Sequence, residues 1–71
     1  MPKQRYEEVA DDLRGKIKNG EYPPGSRLPS RAELMREYQC SDTVIGKAMM
    51  LLRAEGLTET QAGVAVYVKK H

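Results

Sequence analysis

Two short sets of side chains carry most of the chemistry this chain can offer: Thr43, Val44 and Lys47 in one, Arg27 and Arg31 in the other. The Thr43 hydroxyl can donate or accept, the Val44 methyls suit a thymine methyl, and Lys47 can reach a guanine or a phosphate. Arg27 and Arg31 carry guanidinium groups fit for phosphate. They stand where the free amides of a helix start would add to that attraction. The plainer alternative for each is a solvated surface residue. Asp42 is unfavourable beside a phosphate. It either accepts from a cytosine amino group or complements the positive end of a helix, and the second reading is preferred. Catalysis lacks its parts: His71 is the last residue, Cys40 has no histidine near it in sequence, and no glycine-rich phosphate loop occurs. No cluster has metal-ligand spacing. Neither an enzyme nor a cofactor is expected.

These residues need elements to hold them. Tyr6, Val9, Ala10, Leu13 and Ile17 fall at i, i+3, i+4, i+7 and i+11, which predicts one amphipathic helix from Tyr6 to Asn19. Its acids (Glu7, Glu8, Asp11, Asp12) come early, its bases (Arg14, Lys16, Lys18) come late, and Gly20 suits the position after its end. Glu21 to Leu28 reads as a loop stiffened by Pro23 and Pro24 and bent at Gly25, with a short extended piece at Arg27 and Leu28 able to pair with a strand elsewhere. Ser30-Arg31-Ala32-Glu33 has the form of a capping box and opens a second helix with Leu34, Met35 and Tyr38 on its apolar side, ending near Tyr38 or Gln39.

A tight turn follows, and Ser41 is the natural N-cap of a third helix from Asp42 to about Glu55, closed by Gly56. Ile45, Ala48, Met49 and Leu52 form its apolar face; Asp42, Thr43, Gly46, Lys47, Met50 and Arg53 point away. Leu57 to Gln61 begins a β-hairpin that turns at Ala62-Gly63 and returns through alternating Val64, Val66 and Val68. The order is helix, short strand, helix, tight turn, helix, hairpin.

Composition is permissive. At 71 residues the chain has room for one domain and a small core. Its 39% hydrophobic and 31% charged residues suit a soluble globular domain. No run approaches the roughly 18 apolar residues of a membrane span and no leader is evident, so a cytoplasmic protein is expected. Cys40, the single cysteine, cannot form an internal disulfide. Twelve bases nearly match ten acids, for a net charge of +2, so a polyanion-binding face requires the two signs to be segregated in space.

Two helices joined by a tight turn, the second capped by serine, match a helix-turn-helix unit whose second helix has an outer face about the width of a major groove. Together with the hairpin they predict an α+β winged helix-turn-helix: three helices, a C-terminal β-hairpin wing and a short strand before helix 2. From Tyr6 to Val68 the chain resembles the DNA-binding domain of the GntR family. The resemblance rests on Tyr6 and Ile17, Gly20-Glu21-Tyr22-Pro23-Pro24-Gly25, Leu28-Pro29-Ser30, Glu33-Leu34, Ser41, Ala48, Leu52, Ala54-Glu55-Gly56-Leu57 and Gly63. It implies a winged-helix regulator of transcription acting on double-stranded DNA, usually as a homodimer on a short palindrome. Residues 1–71 would be its single DNA-binding domain, without the effector domain that normally follows and with no small-molecule effector of its own. Arg27, Arg31, Ser41, Thr43, Val44, Lys47 and the wing residue Gly63 are the residues expected at the DNA.

The chain also departs from that family. Arginine is common at the positions held here by Ala32, Asp42 and Gly46, and this chain has Arg31 one place earlier. The wing tip reads Gly63-Val64-Ala65, without a second glycine. Gly46 marks either a close approach or drift, and Met50 and Leu51 are either extra core or part of a partner surface. A degenerate winged helix serving as a protein-interaction module is therefore the rival expectation.

Overall fold

The computed structural model describes residues 3–61 and 65–70; the expected Ala62-Gly63 turn and Val64 lie outside the described residues. Three helices, α1 (Arg5–Lys18), α2 (Arg31–Tyr38) and α3 (Asp42–Ala54), precede two antiparallel strands, β1 (Thr58–Gln61) and β2 (Ala65–Val68). The apolar stripe of α1 turns inward as its spacing requires: Val9, Ala10 and Leu13 are fully buried, and Tyr6 and Ile17 half-buried. Its bounds sit one residue earlier than the periodicity suggested. Asn19 serves as C-cap, and Gly20 adopts the left-handed φ of +89° that lets the chain leave the helix.

The capping box forms as expected. The Glu33 amide donates to Ser30 Oγ at 3.2 Å, and the Ser30 amide donates to Glu33 Oε2 at 2.9 Å. Thus α2 starts at Arg31 and presents Leu34 to the core. It ends at Gln39, whose φ of 51° and ψ of 52° are left-handed without a glycine to ease them. The Val44 amide donates to Ser41 Oγ at 3.4 Å, which opens α3. At its other end the amides of Gly56 and Leu57 donate to the carbonyls of Arg53 and Leu52, at 3.0 and 3.1 Å, a Schellman closure. That closure explains why β1 begins at Thr58 and not at Leu57, whose N–H is already spent on the helix.

One core joins the helices: Val9, Ala10 and Leu13 of α1, Leu34 of α2, and Ile45, Ala48 and Leu52 of α3. Met49, expected on the buried face, is half-buried at its margin, and Leu51 also packs against the cluster. In the wing, Thr58 pairs with Val68, Thr60 with Val66, and Glu59 with Tyr67. The short strand expected at Arg27 and Leu28 is reduced to a single antiparallel bridge, Arg27 to Tyr67. Its hydrogen bonds run from the Leu28 amide to the Val66 carbonyl (2.9 Å) and from the Val68 amide to the Ser26 carbonyl (2.8 Å). They dock the second strand of the wing onto the stretch that leads into α2, so wing and helix starts share one frame.

Candidate nucleic-acid interface

Burial of Ile45, Ala48 and Leu52 decides what α3 shows to solvent. Asp42, Thr43, Lys47, Met50 and Arg53 are all exposed on the outer side, and Gly46 is half-exposed among them. Met50 is 69% exposed, unusual for so large an apolar side chain and in contrast to Leu51 beside it, which packs inward. Between this outer face, the start of α2 and the wing lies an open groove of about 580 Å³, whose rim carries Arg27, Arg31 and Arg53 over a floor that includes Gly46, Met50 and Val66. The guanidinium groups of Arg27 and Arg53, and that of Arg31 beside Asp42, share one concave, partly apolar surface.

Along α1 several bases are held by acids. Arg14 donates to Glu55 through Nε at 2.7 Å and Nη2 at 2.6 Å, and also pairs with Asp11, which in turn meets Lys3. Lys16 pairs with Glu37 at 3.2 Å and Asp12 at 3.6 Å and lies near the rings of Tyr22 and Tyr38. Arg5 donates to the Tyr38 carbonyl at 2.6 Å, at the negative end of α2.

The titration of these groups follows. Hydrogen bonding from Arg14 holds the Glu55 carboxyl below its usual range, and Lys3 followed by Arg14 does the same for Asp11. Burial, reinforced by the hydrogen bond to Asp12, pushes the Tyr38 phenol up. Burial works against the Lys16 ammonium, but Glu37 and Tyr38 outweigh it and raise its pKa.

Among the described residues Arg27, Lys47 and Arg53 have no carboxylate within ion-pair distance. Most of the acid-paired bases thus belong to α1 and the residues before it (Lys3, Arg5, Arg14 and Lys16), whereas at the groove only Arg31 is paired; Lys18 and Arg36 have no such partner among the described residues either.

The sequence-predicted residues fall around this face, though not equally. Arg27 and Arg31 line the groove, Thr43 and Lys47 are exposed on α3, and Ser41 is exposed at its cap. The Lys47 ammonium lies 5.5 Å from the centre of the Tyr6 ring, which inclines it toward the start of α1. Val44 is half-buried and packs against the core, so only part of it faces outward. Gly63 lies outside the described residues. Met50 and Arg53, which the helical spacing already turns outward but which were not among the residues expected at the DNA, also line the groove. Asp42 is bound up with Arg31: Nη1 of the arginine stands 3.5 Å from Asp42 Oδ1.

Three helices, a tight turn and a hairpin docked beside the second helix start define a winged helix-turn-helix domain. The chain belongs to the gntR family of bacterial regulatory proteins, whose model it matches over residues 5–68. It is 33% identical over 67 residues to the Exu regulon transcriptional regulator of Escherichia coli (strain K12), covering 94% of this chain and 26% of that protein. To the Histidine utilization repressor of Pseudomonas putida it is 36% identical over 67 residues, covering 94% of this chain and 27% of the relative. The chain thus spans about a quarter of the length of these curated relatives, each named a regulator or repressor rather than an enzyme.

Among solved structures, a GntR-family transcriptional regulator superposes with a TM-score of 0.89 at 46% identity, over 96% of this chain and 27% of that one. The DNA-binding domain of AraR, solved in complex with operator ORE1, superposes with a TM-score of 0.91 at 26% identity, over 96% of this chain and 83% of that one. No helix among the described residues is long and apolar enough to cross a membrane.

Proposed function

We propose that the chain is the double-stranded DNA-binding domain of a transcriptional regulator, with α3 inserted into the major groove. The observation that carries this reading is the uncovered outer stripe of α3, from Thr43 through Lys47 and Met50 to Arg53, bordered by Arg27 and Arg31. Thr43 and Lys47 meet base edges or the nearest phosphates, with the outward part of Val44 beside them. Ser41 sits at the turn where the backbone passes, Arg27 and Arg53 neutralise phosphates on either side of the groove, and the wing around Gly63 braces the flank. Arg31 reaches the nucleic acid from the start of α2. The operator-bound relatives of the same fold support the docking, and the bases Arg27 and Arg53 at the groove support the polarity.

One domain making about four phosphate contacts binds weakly, and its log affinity falls with log salt at about −0.9 per contact. Tight operator binding then comes from two copies on the half-sites of a palindrome. The domain works in the cytoplasm, where the genome is, and needs neither a cofactor nor a small-molecule effector of its own.

The test is anisotropy of a labelled random duplex titrated with the protein over a range of salt. Salt-sensitive binding with a slope near −3.6 is expected. Absence of binding at low salt would overturn the reading and favour a protein partner on the Met50 face.

A further inference from the structure

The side chain of Arg31 does not extend freely from α2. Its Nη1 meets Asp42 Oδ1 at 3.5 Å, and its Nη2 stands 2.5 Å from the position a Cβ would take on Gly46. The guanidinium of an α2 residue therefore lies across the outer face of α3, in the space a side chain at residue 46 would fill. Both members of the ion pair are well exposed, 58% for Arg31 and 61% for Asp42, and pairs of that exposure add little to folding. What the pair does is fix position. Asp42 engages one edge of the guanidinium, Gly46 leaves room for the rest, and donors remain free on the side that faces outward.

We infer that Arg31, laid over Gly46 and oriented by Asp42, is a base-reading residue of this domain, specific for a guanine in a G·C pair, and that Asp42 and Gly46 are positioning residues for it. The inference rests on the DNA-binding reading above and deepens it. A guanidinium presents parallel donors that match guanine O6 and N7, and a carboxylate at its side can accept from the amino group of the paired cytosine. The pair is suited to one G·C step as a unit. An isolated aspartate at the first position of α3 would repel phosphate; neutralised by Arg31 it does not. The α3 stripe itself carries no arginine until Arg53, so the arginine nearest the start of α3 is supplied by its neighbour helix.

The experiment selects the preferred duplex from a random pool with the parent chain. Affinity is then measured for that site and for its single base-pair variants, using the parent, R31Q, D42N and G46A. In the parent, replacing one particular G·C pair is expected to cost about 10- to 100-fold. In each of the three variants that discrimination falls to within about 2-fold, while preferences at the other positions persist.

G46A serves as the folding control, because alanine favours the helix and the collision is only with the flexible end of Arg31; its Tm should be at or above that of the parent. If instead the variants bind every sequence more weakly by the same factor and R31Q lowers the salt slope by about one, Arg31 is only a phosphate anchor and the inference fails while DNA binding stands. Unchanged discrimination in D42N and G46A would overturn the positioning roles. Loss of all salt-sensitive binding in the parent would instead sink the underlying reading.

Discussion

Arg14→Gln and Arg53→Gln remove the same charge from different faces, each lowering the net charge of +2 by one. Arg14 is committed to Glu55 and Asp11, while Arg53 lines the groove without a carboxylate partner among the described residues. If charge position and not total charge governs binding, only Arg53→Gln should alter the salt dependence. Each phosphate contact contributes about 0.9 to the slope of log affinity against log salt, so four contacts give about −3.6 and three about −2.7. Between about 50 and about 200 mM salt the parent should then lose roughly 150-fold in affinity and Arg53→Gln only about 40-fold. Arg14→Gln should follow the parent curve while melting at a lower temperature. Anisotropy titrations of one labelled duplex at four salt concentrations read both slopes. Equal slopes for the two variants, whether both reduced or both unchanged, would refute the contrast between the acid-paired Arg14 and the groove-lining Arg53.

Other substitutions probe the scaffold beneath that face. Leu52 is fully buried where α3 meets α1, and Leu52→Ala should cost about 3 kcal/mol, seen as a lower urea midpoint at unchanged slope. Gln39 holds a left-handed φ of 51° between α2 and α3, so Gln39→Gly should raise stability by about 1 kcal/mol and Tm by roughly 4–8 °C. Because Arg14 lowers the Glu55 pKa in the folded chain, the pair stabilises fully above the ordinary value of 4.5 and loses its effect as pH falls through the lowered one. Glu55→Gln should therefore melt below the parent at neutral pH, with the gap closing in acid as circular dichroism melts are repeated downward in pH.

The frame of the molecule was legible because its signals are local. The i, i+3, i+4, i+7 stripes of α1 and α3 name Val9, Leu13, Ile45 and Leu52 as core, and the Ser30 to Glu33 spacing names the start of α2; all six residues play those parts. The extended piece at Arg27 and Leu28 was visible, but its shrinkage to one bridge depends on how the second wing strand docks. Residues at the edge of a helical face were harder. Val44 and Met49 lie between the buried and exposed sides of α3, and how far each turns inward is set by the neighbouring elements.

The arrangement of Arg31, Asp42 and Gly46 was not legible from periodicity, since it arises where two helices cross. Taken singly, Asp42 and Gly46 look like losses; together with Arg31 they make one unit. Lys47 beside Tyr6 has the same origin, a contact between α3 and α1 that no local pattern carries.

Whether the outer stripe of α3 meets duplex DNA can be seen residue by residue in amide spectra of the chain titrated with its selected duplex. The shifts should gather on Arg31, Thr43, Gly46, Lys47, Met50 and Arg53, fade as salt is raised, and spare the acid-rich turns of α1 from Glu7 to Asp12. Shifts gathered on α1 instead, or spectra that do not respond to duplex at low salt, would contradict it.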